Sequence, residues 1–147
     1  MKFPWYGMTS TLLLAAVAVA LGAQDRSKER EPKESVYAEL EKVPQKDREK
    51  GNPLAKDPEA VAAGGVLFEE HCEECHGSGG LGGKKAPSLR APEVQNATPG
   101  AIFWILTNGV VRKKMPVWSK LPEPQRWQLV SYIKSLGIVQ PASARQP

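Results

Sequence analysis

Cysteine and histidine are scarce in this 147-residue chain: two of each, all within positions 71–76. A structural zinc site wants four ligands, usually as two separated pairs, and no second pair exists here. A thioredoxin-like redox pair wants a preceding strand and a βαβ surround, and neither pattern occurs. Alternating apolar and polar runs are missing throughout, which excludes a sheet and leaves an all-α reading. Charge of one sign is not in excess either. The 20 Lys and Arg exceed the 16 Asp and Glu only enough to give +4, and no basic stripe with interleaved aromatics invites nucleic acid. A phosphate-binding glycine loop is absent, since the glycine-rich stretch at 78–87 follows no strand and has no P-loop pattern. Methionine is rare as well: Met1 and Met8 lie in the N-terminal segment, so Met115 is the single methionine beyond it.

What is present is concentrated in His71-Cys72-Glu73-Glu74-Cys75-His76-Gly77. Cys-x-x-Cys-His is the attachment pattern of a c-type haem. Two thiols must reach the two vinyl groups of the porphyrin, and one imidazole must sit over the iron. On a helical turn Cys72, Cys75 and His76 are related as i, i+3 and i+4 and share one side. His71 is locked beside Cys72, cannot reach the opposite face, and reads as a surface or haem-edge residue. With both cysteines used in this way, none remains for a disulfide. Covalent haem attachment of this kind is completed outside the cytoplasm in bacteria.

Residues 1–23 agree with export. Lys2 is the only charge before Asp25, the centre at 12–21 is apolar, and Ala18-Val19-Ala20 offers a cleavage pattern, with a looser one ending at Ala23. The pattern favours a cleaved signal peptide. The alternative is an uncleaved membrane tether through residues 3–24, whose helical length of about 33 Å would cross a bilayer core. Residues 24–51 carry eight basic and eight acidic side chains, a composition that builds no independent core and reads as a charged flexible linker. Within it Val36, Leu40 and Val43 fall at i, i+4 and i+7, enough for one short helix before Pro44 that docks weakly on the domain. Residues 52–139 read as the folded domain. Asp57-Pro58-Glu59 starts a helix that runs through Gly64 and Phe68 into the haem motif. The loop 78–87 wraps the haem edge. Thr98-Pro99 opens a second helix, apolar nearly all round at 101–106, which Asn108-Gly109 stops. Trp127, Val130, Ile133 and Leu136 mark the buried stripe of a last helix between 123 and 136, and 140–147 is expected to be a disordered tail.

Gly64-x-x-x-Phe68-x-x-x-Cys72-x-x-Cys75-His76-Gly77, then Pro87-Ser88-Leu89, then Met115-Pro116, then an aromatic-bearing last helix, make the domain resemble a class I cytochrome c. The resemblance covers residues 52–139. It implies a small helical domain wrapped around one covalent haem c, with the first and last helices crossing at Gly64 and Phe68. It also implies that the Pro87 carbonyl accepts a hydrogen bond from the proximal His76. Pro122 and Pro124 depart from it, standing where the family often has a serine cap and acidic residues. Met115 is the expected sixth ligand: it is the domain's only methionine, and the chain from His76 is long enough to return to the far haem face. Pro116 stiffens the ligand loop. A thioether on iron favours the ferrous state. With both axial positions filled there is no open site for oxygen, which argues for electron transfer and against catalysis. The expected protein is a periplasmic or membrane-anchored single-electron carrier between a redox donor and acceptor. A dedicated haem subunit of a larger dehydrogenase or oxidase complex is the second reading, and a haem enzyme or gas sensor a third. Lys84, Lys85, Arg90, Arg112, Lys113, Lys114 and Lys120 form an expected basic collar that meets an acidic partner surface.

Overall fold

The computed structural model describes Met1 and residues 35–137. The expected export segment beyond Met1, the first part of the charged segment (24–34) and the tail lie outside the described residues. Among the described residues there are seven α-helices, α1 (Ala38–Glu41), α2 (Gln45–Arg48), α3 (Pro58–His71), α4 (Glu73–His76), α5 (Pro92–Asn96), α6 (Pro99–Asn108) and α7 (Glu123–Ser135), and two short 3-10 turns, Ser78–Gly80 and Val111–Lys113. Among them too there is no strand, only an isolated antiparallel bridge between Val110 and Met115.

The long helices begin where local chemistry starts them. The Asp57 carboxylate accepts from the Glu59 amide with Pro58 in the first position, and the Thr98 hydroxyl accepts from the Ala101 amide ahead of α6. Each arrangement satisfies amides that the first helical turn leaves without partners. α7 starts at Glu123 although Pro122 provides no side-chain cap; Pro124, in the first turn, lacks the amide that would need one. The Glu123 carboxylate instead accepts from the Trp127 indole at 3.3 Å.

α3 and α7 cross at Gly64. A Cβ there would collide with the backbone carbonyl of Gln128, so only glycine permits the approach. One turn on, Phe68 is wholly buried and its ring lies 5.2 Å from that of Tyr132. Ile102, Phe103 and Leu106 of α6 complete the core with Trp127, Leu129, Val130 and Ile133, and Phe103 stacks on Trp127 at 3.9 Å. Asn52 ties the entry of α3 to α7: its amide donates to the Ser131 hydroxyl at 2.8 Å and the Trp127 carbonyl at 3.2 Å, while its oxygen accepts from the Leu54 amide.

The described part of the charged segment departs from the flexible-linker expectation. The compact unit begins at Glu34, not near 52. Residues 35–50 hold α1 and α2, two short helices in place of the expected one, and both pack on α6. Val43 is 1% exposed, and the backbone of Asp47 comes so close to Gly100 that no side chain would fit there. The physical reason is pairing. Charges that would keep an isolated segment solvated find partners here: Lys50 with Asp47 at 2.6 Å, Lys42 with Glu39 at 3.2 Å, and the Arg48 guanidinium with the carbonyls of Val43 and Glu41. Of the stripe that suggested docking, Val43 is buried and Leu40 packs on the core, but Val36 is 56% exposed.

Candidate functional site

The haem motif occupies its own turn. Cys72 closes α3 with its amide on the Phe68 carbonyl, leaves the helical region at φ −121°, and then opens α4. The motif is therefore not the continuous extension of α3 that its spacing suggests, although the His76 amide still returns to the Cys72 carbonyl at 2.9 Å. Gly77 follows at φ +74°, which turns the chain into the glycine loop. That loop folds back on the motif: the Gly82 amide donates to the His76 carbonyl at 2.6 Å and the Leu89 amide to the Gly80 carbonyl at 2.8 Å.

The fold brings Pro87 back to His76, with the imidazole Nδ1 3.0 Å from the Pro87 carbonyl. A carbonyl can only accept, so Nδ1 carries the proton and Nε2 is left with the lone pair that a metal requires. Burial holds the His76 pKa below its ordinary 6.5, against the opposing effect of the Pro87 hydrogen bond. The ring is therefore neutral at pH 7. Burial also pushes the Cys72 thiol up to about 11, with Cys75 adding to the effect. Neither cysteine is in a disulfide; Cys72 is half-buried and Cys75 exposed.

Met115 reaches the cleft from the turn that follows α6. α6 ends at Gly109, whose φ of +65° turns the chain sharply, and Val110 and Met115 exchange both backbone hydrogen bonds at 3.0 and 3.2 Å. The Trp118 amide fastens the far side to the Leu106 carbonyl at 3.0 Å. Cys72, Cys75, His76, Pro87 and Met115 all line one cleft of about 810 Å³. Its volume lies at the upper end of the ~300–1,000 Å³ typical of cofactor sites. Its walls are mostly apolar, with Leu89, Val94, Ile102, Leu106 and Ile133 turned toward it from four parts of the chain. These residues fit a haem: two unpaired thiols, a neutral imidazole with its tautomer set, a thioether, and an apolar cavity large enough for a macrocycle.

Further residues line the cleft. His71 does line it, and packs on Trp118 with ring centres 5.2 Å apart. Tyr37, Glu39 and Leu40 line it from α1 and the turn before it. The stripe of Val36, Leu40 and Val43 was the one signal for them. Most of the expected basic collar is exposed, but several of its members are paired within the chain. Lys85 pairs with Glu74 at 2.8 Å, Arg112 pairs with Glu39, and Lys113 donates to the carbonyls of Ser35 and Val36. The Lys85 hydrogen bond holds the Glu74 carboxyl below the usual range.

Comparison with known proteins agrees with this geometry. The profile of the family described as cytochrome c oxidase, cbb3-type, subunit III matches residues 59–133, just over half of the chain. Relatives include the cbb3-type cytochrome c oxidase subunit CcoP of Rubrivivax gelatinosus, 34% identical over 86 residues. These make up 57% of this chain and 28% of that protein. The subunit FixP of Sinorhizobium medicae (strain WSM419) is 30% identical over 87 residues, 52% of this chain and 30% of that one. The chain thus spans less than a third of the length of these curated relatives. Among solved structures, cytochrome cL of Methylophaga aminisulfidivorans superposes with a TM-score of 0.52 at 25% identity, covering 72% of this chain and 70% of that one. The matched residues 59–133 include Cys72, Cys75, His76, Pro87 and Met115, and the chain belongs to the cbb3-type cytochrome c oxidase subunit III family of cytochrome c domains.

Proposed function

We propose that the chain is a monohaem c-type cytochrome that passes single electrons between redox partners outside the cytoplasmic membrane. The observation that carries the reading is the convergence of Cys72, Cys75, His76 and Met115 on one apolar cleft. A haem held there supplies one reversible electron at its iron. The protein's part is to hold it. Cys72 and Cys75 provide the thioether sulfurs. His76 offers Nε2 while Pro87 fixes its tautomer and ring orientation. Met115 offers the sixth ligand, and the apolar walls exclude water. The chain has one Cys-x-x-Cys-His motif, which supports one haem.

The names of the relatives favour a more specific version, in which this domain serves as a haem-bearing subunit of an oxidase complex. Its reaction would then be electron relay within that assembly, with catalysis elsewhere. Residues 1–23 fit export, with the haem domain either released by cleavage or tethered.

Spectra and redox titration of the haem-loaded full chain test the reading. Oxidised protein is expected to show the weak red charge-transfer band of a methionine–iron bond. Met115→Ala is expected to abolish it, lower the potential and admit carbon monoxide to the ferrous iron. Tight carbon monoxide binding by the unsubstituted protein would instead support a sensor or enzyme. Fractionation of the same cells reports whether the haem domain is soluble or membrane-held, and co-purification with oxidase subunits separates a fixed subunit from a free carrier.

A further inference from the structure

The segment 35–50 has a geometry that neither electron transfer nor haem attachment requires. Its Val36, Tyr37, Glu39 and Leu40 line the cleft, and it is fastened to two other parts of the cleft's lining chain. On the proximal side the Tyr37 hydroxyl donates to the Ser88 carbonyl at 3.1 Å, one residue beyond the Pro87 carbonyl that holds His76. On the distal side Lys113 donates to the carbonyls of Ser35 at 3.2 Å and Val36 at 3.3 Å, and Arg112 pairs with Glu39. Arg112 and Lys113 belong to the helical turn Val111–Lys113, which stands between the two residues of the Val110–Met115 bridge. The far end of the segment is anchored independently by buried Val43 and by the packing of α2 against Gly100. One end is thus fixed on α6, while the other bonds to Ser88, next to the Pro87 carbonyl that holds His76, and to the turn before Met115.

We propose that residues 35–43 act as a strap that holds the Met115 loop against the cleft, with Tyr37 and Glu39 as positioning residues for the sixth ligand. The inference rests on the haem reading above. Its physical content is that the Met115 loop is a short hairpin with one backbone bridge of its own. Clamping that loop to the Ser88 side raises the fraction of time in which Met115 is in place. An axial ligand that is in place less often leaves the iron open in proportion. The strap also explains why basic residues cluster beside Met115: two of them hold this chain, not a partner.

The test uses haem-loaded full chain and three readouts: the red methionine–iron band, the rate of carbon monoxide binding to ferrous protein, and the rate of tryptic cleavage after Lys42 and Lys46. Val43→Asp places a charge in a buried apolar site and is expected to release the strap. Cleavage and carbon monoxide binding should each accelerate by about tenfold or more, with the red band weakened. Glu39→Lys is expected to act in the same direction, and the exchange Glu39→Lys with Arg112→Glu to recover much of the loss. Tyr37→Phe removes one oxygen and should give a smaller change of the same sign. Faster cleavage with an unchanged band and unchanged carbon monoxide rate overturns the proposal. If Val43→Asp fails to load haem, the comparison of Glu39→Lys with the exchange decides: equal carbon monoxide rates overturn it. Absence of the red band in the unsubstituted protein sinks the Met115 reading itself, a result distinct from a band that ignores the strap.

Discussion

Lys114 has a φ of +66°, the one non-glycine residue with positive φ among the described residues, and it directly precedes Met115. A side chain in that conformation costs on the order of 1 kcal/mol, a cost that glycine escapes. Lys114→Gly is therefore expected to keep the loop and stabilise the folded chain slightly. Lys114→Val, branched at Cβ, is expected to destabilise it by about 1–2 kcal/mol and to weaken the methionine–iron band. Denaturant unfolding and the visible spectrum of the two variants check this; equal stability of both would show that the backbone there is not constrained. The same residue marks a limit of sequence reading. A positive φ at lysine leaves no trace in the chain, whereas the tight turns at Gly77 and Gly109 announce themselves by composition.

Between elements, the α3–α7 crossing carries the domain. Gly64→Ala is expected to destabilise by about 1–3 kcal/mol, because the new methyl meets the backbone carbonyl of Gln128 and no side chain can step aside. This outweighs the roughly 1 kcal/mol that alanine gains over glycine within a helix. Gly65→Ala is the control: its nearest neighbour is the edge of the Tyr132 ring at 3.3 Å, so the two effects should nearly cancel. A Gly64→Ala protein as stable as the parent in thermal unfolding would mean that the helices do not meet there. Much of this level was legible beforehand. Asp57-Pro58 and Thr98-Pro99 place helix starts through bonds that span two or three residues, and the stripe on α7 follows one helical face. α5 was missed, being five residues long and without a capping side chain. The strap was misread for a different reason. Its stabilising partners, Ser88, Arg112 and Lys113, lie about 50 to 80 residues away, and local composition reports only its charge.

For the whole molecule the consequence concerns charge. Lys113 and Arg112 hold the strap, so reversing them would confuse docking with loop release. Lys84 and Lys120 are exposed members of the expected collar and lie outside those contacts. If a basic face steers encounter with an acidic partner, Lys84→Glu with Lys120→Glu should slow electron exchange with that partner by about tenfold at low salt. The difference should fade as salt shortens the screening length to about 8 Å at physiological ionic strength. Because Lys84 also lines the cleft, the midpoint potential is measured alongside and the rates are compared at equal driving force. Stopped-flow rates across a salt series decide it: an unchanged rate and slope would remove the collar from docking.

The helix that leads into the haem motif is covered by the last helix of the domain. Phe68 on α3 and Gly64 beside it are sealed by Gln128 and Tyr132 of α7, some sixty residues further along the chain. Until α7 docks, α3 lacks the surface that completes the burial of its aromatic ring. Contacts this distant in sequence form slowly, because the intervening loop must close before any of them is rewarded. The turn that bears Cys72 and Cys75 follows α3 directly, so it stays open for as long as α3 waits. A chain still waiting for α7 to dock thereby leaves both thiols reachable while a large planar group is joined to them.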